Sequence, residues 1–273
     1  ISRDDLFKVG KELRLRHWQL QKDAGISFTP TNDFSYYDTT LDLTLTLGAI
    51  PSRYNSLKED KLRLYFAMAH GEQNEQEDVI AMEMTKWFDT NYHYIVPEFI
   101  KDQEFSLFDT KVVDEFCEAL ELGIKTKPVI LSPVSFLLLG KEKEDITGMQ
   151  DGFHRLDLLD KVLPVYVELL KALEEKGAEW IQIDEPYLAG EEGSLVATGT
   201  ATDLHLYILG ILWVLRNQGN LDFFFELRLQ SLVLVEFLAR HLLHFRVAFV
   251  GEDILSLLDA VQTVDVSLAC VHD

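Results

Sequence analysis

Residues 83–94 concentrate the side chains most suited to binding a small molecule. The segment holds Lys86, Asn91, an imidazole and four aromatic rings. An ammonium group can pair with a carboxylate or a phosphate, and an amide can both donate and accept hydrogen bonds. The aromatic rings offer a surface for stacking. Composition alone nevertheless favours a structural interpretation, in which a helix ends in buried rings and a lysine stem lies along apolar surface.

Carboxylates in two other segments could orient a ligand. Asp33 could bind an amine or a guanidinium, although capping backbone groups of a loop explains it at least as well. Asp184 and Glu185 follow an apolar strand, where parallel α/β proteins place their active sites. Consecutive strand residues point to opposite faces, so these two carboxylates are not predicted to form an acid/base pair. Binding a ligand and holding a loop stay open for both.

The sequence offers little for metal or nucleotide chemistry. His241 and His244 lie three residues apart in a predicted helix. No carboxylate or thiol accompanies them at ligand spacing, so a structural pair is predicted. Cys117 and Cys270 are too far apart in sequence to form a CxxC motif, which excludes a Cys-rich zinc site and favours a reducing cytoplasm. The chain contains no GxGxxG, Walker A or GxSxG motif.

Length and charge narrow the class of protein. The chain has 273 residues, and 25 Lys and Arg against 46 Asp and Glu give a formal charge of −21. Apolar residues make up 47%, which argues against disorder despite the high charge. So many carboxylates would repel the phosphates of nucleic acids and anionic membranes. The apolar runs are too short to span a bilayer, and no signal peptide is expected.

Hydrophobic periodicity predicts alternating helices and strands. Helices are predicted over 4–22, 79–88, 113–122 and 156–176, the last with Pro164 as a kink or a break. Strands are predicted over 92–96, 128–131, 180–183, 245–250 and 264–269, and residues 29–38 are predicted to form a loop. A strand, a long helix and a further strand form the βαβ pattern of a parallel sheet. One barrel-like α/β domain is the economical prediction.

Several segments then identify a family resemblance. They are NDFSYYD at 32–38, EMTKWFDTNYHY at 83–94, KPVILSPVSFLLLG at 127–140, LPVY at 163–166 and QIDEP at 182–186. In order and spacing, the chain resembles the N-terminal domain of cobalamin-independent methionine synthases. The match is dense over residues 4–187, and the long segment 83–94 is its most specific part. The resemblance reverses the structural interpretation of that segment.

The resemblance implies both fold and activity. It implies a (βα)8 TIM-like barrel, the first of two barrels in an enzyme that transfers a methyl group from 5-methyltetrahydropteroyl-polyglutamate to homocysteine. Lys86 and Asn91 match family residues that bind the methylfolate, and no catalytic residue is carried over. The family uses zinc and no cobalamin, and the zinc ligands and homocysteine pocket belong to a C-terminal catalytic barrel outside this chain.

The family motifs also indicate how much of the domain this chain contains. Residues 1–273 are expected to be an incomplete N-terminal barrel, because further basic folate ligands lie in an RELK motif that precedes the matched region. Residues 190–273 match the family poorly, and no site residue is carried over from them. The isolated chain is expected to bind folate weakly and not to turn over.

Two other functions stay open on sequence grounds. The chain could be a non-catalytic module that docks or stabilises a separate catalytic barrel without binding folate. It could also be a barrel hydrolase that uses Asp184 or Glu185, although no second carboxylate for such a reaction is identified.

Overall fold

In a computed structural model, the chain is described over residues 2–74, 78–143 and 152–189. The α-helices of this part are α1 (Arg3–Asp23), α2 (Thr39–Thr46), α3 (Lys61–His70), α4 (Lys111–Glu121), α5 (Pro133–Leu139) and α6 (Leu159–Glu175). Short 3-10 helices lie at Ser52–Leu57, Arg155–Leu158 and Pro186–Ala189. Its strands are β1 (Thr29–Thr31), β2 (Glu72–Gln73), β3 (Asp78–Val79), β4 (Met84–Lys86), β5 (His93–Ile95), β6 (Glu98–Phe99), β7 (Thr126–Leu131), β8 (Lys141–Glu142) and β9 (Gln182–Asp184).

Parallel pairing confirms the α/β class. Strands β1, β7 and β9 form one sheet in that order, and both of its pairings are parallel. The connection from β7 to β9 runs through α5 and α6, as a βαβ crossover requires. Strands β6 and β8 form a second parallel pair. The carboxyl ends of β1, β7 and β9 therefore lie along one edge, which carries the segments after Thr31, Leu131 and Asp184.

Three of the predicted helices are present with small differences at their ends. Helix α1 begins after Ser2, whose hydroxyl accepts a hydrogen bond from the Asp5 N–H and so caps the first turn. Helices α4 and α6 correspond to the predictions over 113–122 and 156–176. Pro164 lies inside α6 without ending it. Of the two alternatives predicted for Pro164, a kink or a break, the break is therefore excluded.

The helix predicted over 79–88 is wrong. Exposure alternates from residue 84 to residue 88, with Thr85 and Trp87 facing inward, a period of two that belongs to a strand. The segment instead forms β4, which pairs antiparallel with β5. The strand predicted over 92–96 is confirmed as β5. Read from the sequence alone, the apolar and aromatic residues of this stretch resemble the apolar face of a helix, because the contacts that fix them come from other segments.

Two other boundaries also differ. Residues 29–38 were predicted as a loop, but the first three form β1 because Thr29 and Thr31 are buried against β7. The strand predicted over 180–183 lies slightly later, as β9. Helix α5 was not predicted, although Ser132 and Pro133 are a favoured start: the Ser132 hydroxyl accepts a hydrogen bond from the Ser135 N–H.

Two apolar clusters stabilise this part of the chain. One packs α4 and α6 against the parallel strands and includes the fully buried rings and aliphatic groups of Phe99, Phe136, Ile130, Val162 and Leu169. The other surrounds α2 and α3 and includes Leu41, Tyr54, Leu64, Met68 and Ile95. The second cluster buries Ile95 at the end of β5, so close packing fixes this end of the β4–β5 hairpin, which is called its base below.

Some predictions fall outside the described residues. They concern His241 and His244, Cys270, the strands over 245–250 and 264–269, and the whole of 190–273. Over the ranges that are described, no helix is long and apolar enough to cross a membrane.

Candidate functional site: the β4–β5 hairpin

The hairpin formed by β4 and β5 carries both residues that the family resemblance selects. Lys86 ends β4 and pairs with His93 at the start of β5. A hydrogen bond of 2.7 Å from the Trp87 N–H to the Tyr92 carbonyl closes the loop between them. Inside that loop, the Thr90 hydroxyl donates to the Trp87 carbonyl at 2.5 Å and accepts from the Tyr92 N–H at 3.2 Å. The loop is thus held by its own hydrogen bonds.

The side chains of Lys86 and Asn91 are available to a ligand. Both residues are exposed, and they lie at the same end of the hairpin. No carboxylate of the described residues lies within 4.0 Å of the Lys86 ammonium. Most buried cations in this part of the chain, by contrast, are paired with a carboxylate. The Asn91 carbonyl lies 3.0 Å from His93 Nδ1, a contact that ties the backbone of the loop and does not involve the Asn91 side chain.

The opposite face of the hairpin is packed. The Trp87 ring meets the Tyr94 ring edge-on, with centroids 5.7 Å apart, and both belong to a cluster with Leu139. The Tyr94 hydroxyl donates to the Leu139 carbonyl at 2.8 Å. Burial raises the pKa of the Tyr94 phenol, so it stays a donor at neutral pH. Packing on one face and exposure on the other direct Lys86 outward.

The loop also has one unusual backbone conformation. Phe88 has a φ of +49°, in the left-handed region that residues other than glycine rarely adopt. Its ring lies 5.1 Å from that of Tyr187, which follows β9. The Tyr187 hydroxyl in turn donates to the Leu138 carbonyl at 3.2 Å. The turn that carries Asn91 is therefore supported by the carboxyl end of β9.

Asp38 connects the hairpin base to helix α2. It is 1% exposed, and its Oδ1 accepts hydrogen bonds from the Thr40 and Leu41 N–H groups at 2.7 and 2.9 Å. Its Oδ2 accepts from the Ile95 N–H at 3.0 Å. Burial raises the pKa of this carboxyl to about 6, while the three N–H donors oppose the rise. Asp38 ends the NDFSYYD segment of the family resemblance, and its contact with the hairpin was not predicted.

Asp33 lies apart from the hairpin, near a buried polar network. Burial raises its pKa, and His17 and Lys111 oppose the rise. The network centres on Lys111, whose ammonium lies 3.1 Å from an Asp42 oxygen, 3.3 Å from a Glu115 oxygen and 2.9 Å from the Asn32 amide oxygen. This network was not predicted, because Lys111 reaches Asp42 and Asn32, which lie more than 60 positions away in the sequence.

Asp184 and Glu185 occupy different surroundings, as their strand positions predict. Asp184 is exposed and accepts a hydrogen bond from the Gln182 amide at 2.7 Å. Glu185 is partly buried and accepts hydrogen bonds from the Ser132 and Ser135 hydroxyls. Burial raises the pKa of Glu185 to about 7.

The serines extend this contact toward the hairpin. The Ser135 hydroxyl also accepts a hydrogen bond from the Tyr187 N–H at 3.4 Å. The Ser-Pro start of α5 was the signal in the sequence that could have drawn attention to these serines.

Among the described residues, no three His, Cys, Asp or Glu side chains are grouped so as to hold a metal ion. These residues therefore do not fit a zinc site, and no zinc chemistry is derived from them.

Comparison with known proteins matches the part of the chain that contains the hairpin. Residues 1–202 match the family model described as "Cobalamin-independent synthase, N-terminal domain". A protein of Flavobacterium johnsoniae named 5-methyltetrahydropteroyltriglutamate–homocysteine methyltransferase is 59% identical over 191 residues, covering 69% of this chain and 24% of that protein. A protein of the same name from Saccharomyces cerevisiae is 48% identical over 194 residues, covering 69% and 25%. The chain thus spans about a quarter of the length of these relatives.

Proposed function

Because the chain belongs to the family of cobalamin-independent methionine synthases and matches their N-terminal domain, we propose that its β4–β5 hairpin binds the methyl donor. The donor is a methyltetrahydropteroyl compound with a polyglutamate tail, as the printed names of the relatives suggest. Lys86 pairs with a carboxylate of that tail, and Asn91 makes a directional hydrogen bond. The single observation that carries the proposal is the exposed ammonium of Lys86 on a hairpin whose other face is fixed.

The electrostatics support this role for Lys86. The chain has a formal charge of −21, so a polyanionic donor approaches against an unfavourable overall field. A cation that is already paired with a carboxylate would contribute little to overcoming it. Because the Lys86 side chain is exposed to solvent, its charge is available to a ligand. A charge-assisted hydrogen bond contributes about 1.5–3 kcal/mol to the free energy of binding.

The chain's own contribution to methyl transfer is positioning. Methyl transfer to a thiol requires the methyl group and the acceptor to meet in one orientation. Binding the donor at a point away from the reacting carbon restricts its motion and supplies part of that orientation. We place the acceptor and the zinc in a C-terminal catalytic barrel of the full-length protein. The relatives are about four times longer than the matched region, which leaves ample chain for such a barrel.

We also propose that the parallel strands belong to a (βα)8 barrel. The parallel order β1, β7, β9 and the parallel pair β6 and β8 are strands of the kind that such a barrel needs. A cytoplasmic location accords with the cysteine usage. A crystal structure of the full-length protein tests the barrel directly: eight parallel strands in a closed ring are expected, and an open sheet would contradict the proposal.

The experiment that tests the function is a substitution of Lys86 in the full-length protein. Lys86→Ala is expected to raise the KM for the triglutamate donor about tenfold, the loss of one charge-assisted contact. Lys171→Ala, on the exposed side of α6, is the matched control and is expected to leave the KM unchanged. An unchanged KM in Lys86→Ala would contradict the proposal and favour the alternative of a docking module that does not bind folate.

A further inference from the structure

The two oxygens of Asp38 have separate tasks. Oδ1 accepts both hydrogen bonds at the start of α2, from the Thr40 and Leu41 N–H groups. Oδ2 accepts only the bond from the Ile95 N–H, at 3.0 Å. Ile95 belongs to β5, 57 positions further along the chain. A helix cap needs one acceptor oxygen, so the second one is not explained by capping.

A second contact joins the same two elements. The phenol of Tyr92 faces the N–H and the hydroxyl of Thr39, the first residue of α2; burial raises its pKa and these two donors oppose the rise. Tyr92 precedes β5 and Ile95 ends it, so the start of α2 lies beside both ends of this strand, and the Asp38–Ile95 bond is the contact that holds it. The Ile95 N–H has no hydrogen-bond partner in the β4–β5 ladder. Without Asp38 it would be a buried donor without an acceptor.

We propose that Asp38 is a positioning residue, which fixes the β4–β5 hairpin against α2 and thereby sets where Lys86 and Asn91 meet the methyl donor. The proposal rests on the proposed function, because it concerns the same hairpin. Lys86 lies at the far end of β4 from the Ile95 contact, roughly two residues or 7 Å along the ladder. A small rotation at the base is therefore carried to the ligand-binding end.

Asp38→Asn separates the two tasks. The asparagine oxygen can keep both bonds at the start of α2, since Asn caps helices as well as Asp. Its NH2 group then faces the Ile95 N–H, and two donors oppose each other where one bond was. Turning the amide over would place the NH2 group against two donors, which is worse. Asp38→Ser is the second variant, because it retains a capping oxygen and cannot reach Ile95.

The control is Asp60→Asn. Asp60 also caps a helix, accepting the Arg63 N–H at the start of α3, but it has no bond to the hairpin. Two readouts are made on the full-length protein: hydrogen exchange of peptides covering 92–96 and 38–44, and the Kd for 5-methyltetrahydropteroyl-triglutamate. Lys86→Ala is measured alongside.

The expected result has two parts. In Asp38→Asn and Asp38→Ser, exchange rises in peptide 92–96 and stays unchanged in 38–44, and the Kd rises about tenfold, as expected when supporting contacts of a site are lost. Asp60→Asn changes neither. Unchanged exchange in 92–96, or faster exchange with an unchanged Kd, would overturn the proposal. If Lys86→Ala leaves the Kd unchanged, the proposed function fails instead, and the exchange data still decide whether Asp38 holds the hairpin.

Discussion

Lys86 and His93 face each other across the β4–β5 ladder, and both are exposed at the end of the hairpin that carries Asn91. The rings of Trp87 and Tyr94 pack on the inward face of the hairpin, and Asp38 binds the backbone of β5 at Ile95. The hairpin therefore presents polar groups from a rigid support. Such a support is what a site needs in order to hold a flexible, charged ligand in one orientation.

The hydrogen bond between the Tyr94 hydroxyl and the Leu139 carbonyl provides a test of that support. Tyr94→Phe removes the hydroxyl and leaves a buried carbonyl with one acceptor position unused. The free energy of unfolding is expected to fall by about 1–2 kcal/mol, measured by urea denaturation. Tyr37→Phe is the comparison, because its ring packs on His70 at the surface of α3. Equal stabilities of Tyr94→Phe and the wild type would show that the hydroxyl does not anchor the hairpin.

The buried ammonium of Lys111 is expected to contribute strongly to the stability of the fold. Lys111→Met keeps the length of the side chain but leaves the Asp42 carboxylate buried without its cation and the Glu115 carboxylate with only Arg14, 3.8 Å away. The free energy of unfolding is expected to fall by about 3–5 kcal/mol, the usual cost of removing one partner of a buried ion pair. The exposed Lys171→Met serves as control, with an expected change below about 0.5 kcal/mol. A loss under about 1 kcal/mol for Lys111→Met would contradict the importance of this network.

The pKa of Glu185 predicts how stability depends on pH. Burial raises this pKa from 4.5 to about 7, so the folded state penalises the charged form. The unfolded chain releases the proton first as pH rises, and stability therefore falls between about pH 4.5 and pH 7, by at most about 3 kcal/mol. Asp38, with a pKa raised to about 6, adds a fall of the same sign between about pH 4 and pH 6.

Glu185→Gln isolates that contribution. The variant has no charge to bury, so its stability relative to the wild type is expected to increase as pH rises from 4.5 to 8. Asp184→Asn, the exposed neighbour, is expected to follow the wild-type pH profile. Thermal or urea unfolding across this pH range measures the difference. Parallel pH profiles for Glu185→Gln and the wild type would be inconsistent with a buried, ionising Glu185.

Local pattern predicted the amphipathic helices and the buried strand β7, because their periodicity is carried within one segment. It failed for residues 79–88, where Trp87 and Phe88 follow a strand period only because they contact Tyr94 and Tyr187 from distant segments. Lys86 and Asn91 were selected through the family resemblance, since composition alone favoured a structural role for their segment. The supporting contacts of Asp38, Ser132 and Ser135 depend on tertiary pairing and were not predicted.

The most direct test of the central claim compares donors with one and three glutamates. The Kd of each is measured for the wild type and Lys86→Ala in the full-length protein. If Lys86 pairs with the polyglutamate tail, the substitution weakens binding of the triglutamate donor about tenfold, as loss of a charge-assisted contact should, and weakens the monoglutamate donor much less. Equal losses for both donors, or no loss for either, would contradict the account.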